Sequence, residues 1–537
     1  MPDNGGRPSD PAPARLPAIS RRRLLASGAG LGAALLVPSP LSRSVEGSGP
    51  PTGSAYQFQP YCPIQRLGDI ISQELPAPEE SPLLLEPEIR RSVNGILQTT
   101  LRVQYAYKEV GDYRLYMRTY EGMIPGPTLR LQPGDVLRIS LINDLPPNRD
   151  DEPAQLNHPH HFNTTNYHFH GSHVSPGGIS DNILREMEPG ESYDIEIALP
   201  SDHTRGTYWY HPHHHGSADI QVASGMAGMI VVDGDFAGVP EIATAKERVM
   251  VLGQAVFDAL RTVENFETLF PEGSTRFFTI NGQRYPTIAI RPGEVQRWRL
   301  LHAGYQDDIA LTLDGHAFRV IAKDGISLSH LSDPLSTLVI VPGQRADVLV
   351  QAGEPGAYEL HAVPNFQGYD SPTGPVARLV VAGDPMQMSL PSPLPAAPLS
   401  TIRDSELTGG RQVVFSAVTP ENDAAGHWQE FSFLVDGKLF DATRVDHRIR
   451  LGSVEEWTLV NLHAHDHIFH IHTNPFQVTS INGQPLAEPE WRDTVILPRN
   501  GTLTFRSRFL DFTGRYVLHC HMMNHEDMGM MQLIEVY

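Results

Sequence analysis

One strand–turn–strand phrase occurs three times along the chain, and a single compact core cannot accommodate that. It reads TLRLQPGDVLRISLIND from Thr128 to Asp144 and TIAIRPGEVQRWRLLHA from Thr287 to Ala303. A degraded copy, DHRIRLGSVEEWTLVNL, runs from Asp446 to Leu462. On either side of a Pro-Gly or Leu-Gly turn the apolar residues alternate, the period of a strand with one buried face. Copies roughly 160 residues apart predict three similar all-β domains. A length of 537 residues asks for two or three cores, and 46 Gly with 46 Pro provide the turns that short strands need. Antiparallel β-sandwiches of Greek-key type are the expected architecture.

Composition shifts mark the joints. The stretch VDGDFAGVP, ending at Pro240, separates the first unit from the second, and the Pro-rich GDPMQMSLPSPLPAAP, Gly383 to Pro398, separates the second from the third. The domain limits read as 91–235, 241–384 and 400–537, with a linker at 385–399. Residues 46–90, dense in Pro and Glu, read as an extended arm lying on the first domain. Ahead of it, SRRRLL (Ser20 to Leu25) precedes an apolar run from Leu24 to Val37. That run is too short to span a bilayer and suits a signal-peptide core behind a basic flank. The arginines after Ser20 resemble a bacterial twin-arginine export signal, so residues 1–45 are expected to direct export to the periplasm or outside, with no stable membrane span after processing. A net charge of −21 argues against a nucleic-acid partner. Two cysteines, Cys62 and Cys520, make no disulfide framework, and Cys62 reads as an inert buried thiol.

Four His-x-His motifs stand in telling places. His168 and His170 lie in NYHFHGSHV, and His211 and His213 in YWYHPHHHG, both within the first repeat unit. His470 and His472 lie in HIFHIHTNPF, and His519 and His521 in VLHCHMMNH, both within the third. Residues i and i+2 of a strand face the same side, and imidazole is a good ligand for copper, zinc or nickel. Two pairs from each of two domains therefore point to a polynuclear metal cluster where the first and third domains meet. If His519 and His521 face that cluster, Cys520 between them faces away and its thiolate serves a different metal. Cysteine with two histidines and a weak methionine is a blue-copper ligand set; His525 and Met530 follow along the chain, and His467 is placed to supply the second imidazole.

With these motifs the chain, from about residue 90 to 537, resembles the three-domain multicopper oxidases, the laccase-like family built from cupredoxin domains. The resemblance implies three cupredoxin-like sandwiches and four copper ions. It assigns His467, Cys520, His525 and axial Met530 to type 1 copper, and His168 and His470 to type 2. It assigns His170, His211, His213, His472, His519 and His521 to the type 3 pair. The usual His-Pro-x-His-x-His motif appears as HIFHIH, with Ile468 in the proline position; proline is not a ligand, so loop stiffness rather than copper binding should change. Glu526 matches an acid near the type 3 coppers, Asp181 an acid near type 2, and Asp493 a further position of unresolved role.

The activity implied is one-electron oxidation of phenols, aromatic amines or similar small donors, coupled to reduction of O2 to water. Axial Met530 suggests a moderate type 1 potential and easily oxidised donors. A Cu(I) or other metal-ion oxidase is the alternative, against which stands the lack of a Met-rich insert among 14 methionines. Copper nitrite reductase needs fewer histidines. A non-enzymatic structural member of the fold would lack the ligands retained here.

Overall fold

The computed structural model describes residues 77–78, 81–148, 156–263, 269, 275–369, 371–418 and 432–537. The expected export signal and Cys62 lie outside these residues. The described chain is almost all-β, arranged as three successive cupredoxin-like sandwiches, each of two sheets. In the first, a four-stranded sheet orders Tyr113–Tyr120, Ile96–Val110, Val136–Asn143 and Ser192–Ala198. The opposing five-stranded sheet orders Ile89–Arg91, Thr128–Leu131, Gly228–Val232, Gly206–His211 and His168–His170. The second and third sandwiches each pair a six-stranded with a five-stranded sheet.

The repeated phrase is not a hairpin. Thr128–Leu131 pairs with Ile89–Arg91 and Gly228–Val232, whereas Val136–Asn143 pairs with Ile96–Val110 and Ser192–Ala198. The turn between them carries the chain from one sheet to the other. Leu129 and Leu131 on one side, and Leu137, Ile139 and Leu141 on the other, then converge on one core. Alternation fixes which face of each strand is buried, but it is silent on whether two strands share a sheet. The turn needs a left-handed residue at the same place in every copy, and Gly134, Gly293 and Gly452 supply it with φ of 87°, 74° and 89°.

Two further departures concern the second sandwich. Its repeat strand, Val295–His302, is buried along its whole length, because the first sandwich covers the face expected to be wet. Arg297 and Arg299 are consequently buried, and are neutralised by Asp235, Asp347 and Glu247. The described end of the N-terminal arm also lies first on this sandwich: the backbones of Pro82 and Leu84 bond to Thr287, and Glu86 pairs with Arg248. Thr287–Ile290 is an edge strand, and covering it satisfies backbone groups that would otherwise be open to another chain. Only at Ile89–Arg91 does the arm join the first sandwich.

A substitution pair tests the turn argument. At Gly134 an added Cβ meets nothing closer than 3.8 Å, whereas at Gly293 it runs into the carbonyl oxygen of Met386. Gly134→Ala is expected to cost about 1–2 kcal/mol, the price of left-handed backbone alone, and Gly293→Ala distinctly more, as read by chemical unfolding.

Candidate metal centre

Two strand pairings bring the histidines together. His168–His170 pairs antiparallel with Gly206–His211, setting His168 opposite His211. His467–Ile471 pairs antiparallel with Gly514–Cys520, setting His470 opposite His519 and Phe469 opposite Cys520. The i, i+2 rule then gathers eight imidazoles, of residues 168, 170, 211, 213, 470, 472, 519 and 521, into one buried chamber. The Nε2 atoms of His213, His472 and His519 lie 3.1, 3.1 and 3.3 Å apart pairwise. His170 Nδ1 lies 3.2 Å from His521 Nε2. His168, His470 and His472 also offer ring nitrogens to one spot.

The hydrogen bonds around this chamber fix the tautomers. His168 Nδ1 faces the Asp181 carboxylate at 3.1 and 3.2 Å. His470 Nδ1 donates to Asp493 O at 2.7 Å, and His211 Nδ1 to Pro212 O at 2.9 Å. A neutral imidazole has one proton, so Nε2 of these rings is a lone pair, and in all three it is buried with no partner among the described residues. His170 is reversed: its Nε2 faces Thr494 Oγ1 at 3.0 Å and Asp493 Oδ1 at 3.2 Å, leaving Nδ1 for the chamber. Burial, aided by the crowding of like groups, pushes every one of these rings with a resolved shift below the ordinary histidine range, His211 to about 3 and His213 to about 4. They are neutral ligands facing one another lone pair to lone pair, which is repulsive until a cation stands between them. A metal–imidazole bond of about 2.0–2.1 Å sets two nitrogens roughly 3.3 Å apart around a tetrahedral ion, and the observed separations fit.

A second donor set lies on the other side of the same strand. Cys520 Sγ is 3.5 Å from His467 Nδ1 and 3.6 Å from His525 Nδ1, and the two nitrogens are 3.1 Å apart. Met530, fully buried, is tied to both Cys520 and His525 by its backbone, its carbonyl accepting the Cys520 N–H at 3.0 Å and its N–H donating to His525 O at 2.9 Å. Burial pushes the Cys520 thiol up to about 12, so the thiolate is formed only when a cation compensates it. The alternation expected at Cys520 is therefore present: sulfur to one side, imidazoles to the other.

Acidic groups brace the chamber and the helices beside it. Asp181 also accepts the Phe169 N–H at 2.8 Å, and burial outweighs that bond to bring its carboxyl up to about 8. Glu526 is wholly buried with its two oxygens 3.2 and 3.0 Å from Nδ1 of His213 and His519, an approach poorly aligned for hydrogen bonding. Burial pushes its carboxyl up, and the two imidazoles more than reverse that. Asp527 accepts the N–H groups of Gly216 and Asp219 at 2.7 and 2.9 Å, joining the Ala218–Ala223 helix to the Met523–Asp527 helix.

Sequence reasoning missed the contribution of the middle sandwich. Arg345, fully buried, forms a bidentate pair with Asp493 at 2.8 and 2.5 Å, and Asp493 in turn touches His170 and His470. Gly171 is forced by this pair, since a Cβ there would run into Arg345 and Asp493. The sequence signal was an arginine opening the largely apolar strand RADVLVQ; its partner lies 148 residues away.

Three family models, each described as multicopper oxidase, match residues 154–236, 238–379 and 412–537. The chain belongs to the multicopper oxidase family. Membership places it among the oxygen-dependent copper oxidoreductases. Among its relatives, the multicopper oxidase mco of Staphylococcus aureus is 24% identical, over 85% of this chain and 91% of that protein. A laccase of Bacillus stratosphericus is 25% identical, over 86% and 98%. A solved multicopper oxidase from Campylobacter jejuni, described as a metallo-oxidase, aligns with a TM-score of 0.69 at 25% identity, over 86% of this chain and 99% of that one.

Removing the guanidinium from this multicopper oxidase tests the role of its middle sandwich. Arg345→Met strands the Asp493 carboxylate in a dry site and should cost about 3–5 kcal/mol in unfolding experiments. Copper should also be lost on dialysis, because His170 and His470 lose their alignment.

Proposed function

We propose that the chain is an exported laccase-type oxidase of small reducing donors, phenols foremost. In this reading His467, Cys520, His525 and Met530 hold type 1 copper. His168 and His470 hold type 2, and His170, His211, His213, His472, His519 and His521 hold the type 3 pair, within the domain limits drawn from the repeats. Copper, when bound, supplies one-electron oxidation at the mononuclear set and four-electron reduction of O2 to water at the trinuclear set.

The observation that carries the reading is the strand ending HCH, which makes Cys520 a member of one donor set and its covalent neighbours members of the other. The chain's own groups do the remaining work. The chamber excludes bulk water, since all eight imidazoles are buried. Water formation consumes protons, and Glu526 and Asp181 are the carboxyls able to hold them beside His213, His519 and His168.

A metal-ion oxidase is the second reading, favoured by the metallo-oxidase description of the Campylobacter jejuni relative and opposed by the lack of a methionine-rich insert. A cell division protein of Edwardsiella tarda is also a relative, at 26% identity, and a structural role has the retained copper-ligand residues against it. Export rests on the arginines after Ser20 and is checked by replacing Arg21 and Arg22 with lysine and following the protein's compartment.

Two experiments test the function. Cys520→Ser should abolish the intense visible colour of the copper-loaded protein and lower O2 uptake with phenols more than about a hundredfold; retention of both overturns the reading. Glu526→Gln and Asp181→Asn should each slow O2 turnover about 10²- to 10⁴-fold while the colour persists. A panel of phenols, amines, Cu(I) and Mn(II) separates the two donor classes.

A further inference from the structure

Two short runs of the first sandwich carry histidines that serve neither donor set: NHPHHF, with His158, His160 and His161, and HPHHHG, with His214 and His215. The fold brings the runs together. The His160 N–H donates to Gly216 O at 2.7 Å, and a glycine is required there because a Cβ would run into the His160 ring. His215 Nε2 lies 3.1 Å from Asn157 Oδ1, and the His161 carbonyl accepts the Thr164 N–H at 2.8 Å. The His160 ring then lies 5.0 Å from that of His161 and 6.3 Å from that of His214, centroid to centroid. In the chamber, His213 and His519 stand 4.7 Å apart and His168 and His470 6.0 Å apart on the same measure.

One carboxylate faces this group. Glu186 Oε1 is 3.7 Å from His214 Nε2, too far for a hydrogen bond. Ligand bonds of about 2.0–2.2 Å would set a nitrogen and an oxygen roughly 3.4 Å apart around a tetrahedral ion. Glu186 has no arginine or lysine partner among the described residues. The adjacent Arg185 is turned elsewhere, over the Tyr193 ring and onto Asp194 O. Burial, and after it Glu188, push the Glu186 carboxyl up, as befits an anion without a counter-ion.

The imidazoles have lone pairs to give. His160 Nδ1 donates to His158 O at 2.6 Å, so the neutral ring keeps its lone pair on Nε2. Burial, aided by His161, holds that ring below the ordinary histidine range. Neither His160 Nε2 nor the ring nitrogens of His161 make a hydrogen bond among the described residues. His160 is fixed against Gly216 and His214 is buried, whereas His161 is only half-buried and Glu186 is exposed. Two donors are therefore held in place and two are free to turn inward.

We propose that His160, His161, His214 and Glu186 form a further metal site, separate from both donor sets, for a divalent ion such as copper(II) or zinc(II). Three imidazoles with one carboxylate suit these ions. A set without sulfur does not favour copper(I), and one with a single carboxylate does not favour calcium or magnesium. A bound ion ties the loop at 157–161 to the turn that carries His213, and so braces that chamber ligand from outside. The site goes beyond the laccase-type reading and does not depend on which donor is oxidised.

Zinc(II) is the probe, because such ligands hold it less tightly than copper and it leaves filled copper sites alone. Copper-loaded protein dialysed against zinc(II) should take up one zinc per chain, with its copper content and blue band unchanged. Glu186→Gln removes the carboxylate from an exposed position. His161→Asn removes an imidazole and keeps a residue that accepts the left-handed backbone at φ 50°. Each should weaken zinc uptake at least about tenfold, the least that losing even a group supporting a ligand costs. Glu188→Gln takes away a neighbouring charge but no donor, and should leave uptake nearly unchanged. No zinc beyond the copper, uptake indifferent to Glu186 and His161, or an equal loss in Glu188→Gln, the sign of diffuse attraction to an acidic surface, overturns the proposal.

Discussion

The imidazoles of His213, His472 and His519 aim their Nε2 atoms at one another across 3.1–3.3 Å, deep in a buried chamber. Hydrogen bonds on the far side of neighbouring rings hold lone pairs inward, and burial holds His213 and His472 below the ordinary histidine range. A folded chain tolerates such crowding only because a cation turns the repulsion into bonds, and metal binding is then part of the folding free energy. Much of the surrounding structure keeps those rings from turning away. Asp181 grips His168, Asp493 grips His170 and His470, and Arg345 grips Asp493.

This explains why a sandwich with no His-x-His motif is still needed. The first and third sandwiches bring the ligands, and the second brings Arg345, whose guanidinium pairs with the buried Asp493 carboxylate. It also brings Gly343, which leaves room for the His521 ring at 2.9 Å from where a Cβ would stand. The buried Arg297 and Arg299 pairs tie the same sandwich to the first through Asp235. Ionic groups of this kind add less to stability than to fixing one arrangement of the parts.

What was legible in the sequence was whatever depends on neighbours along a strand. Alternation at His519, Cys520 and His521 gave the two-sided donor arrangement, and the thrice-repeated phrase gave the sandwiches. What was not legible depends on residues far apart. Alternation could not say that the turn at Gly134 crosses between sheets, nor that the arm at Pro82–Glu86 covers the edge strand at Thr287. The pairing of Arg345 with Asp493 leaves no periodic trace at all.

The central claim is that one strand end serves two metal sites on its two sides. Anomalous diffraction at the copper edge from crystals of the copper-loaded protein tests it directly. The account predicts one ion bonded to Cys520 Sγ, His467 and His525, and a separate group of ions among the eight chamber imidazoles. A copper peak confined to one side of the strand, or ions bound with Cys520 left uncoordinated, would contradict it.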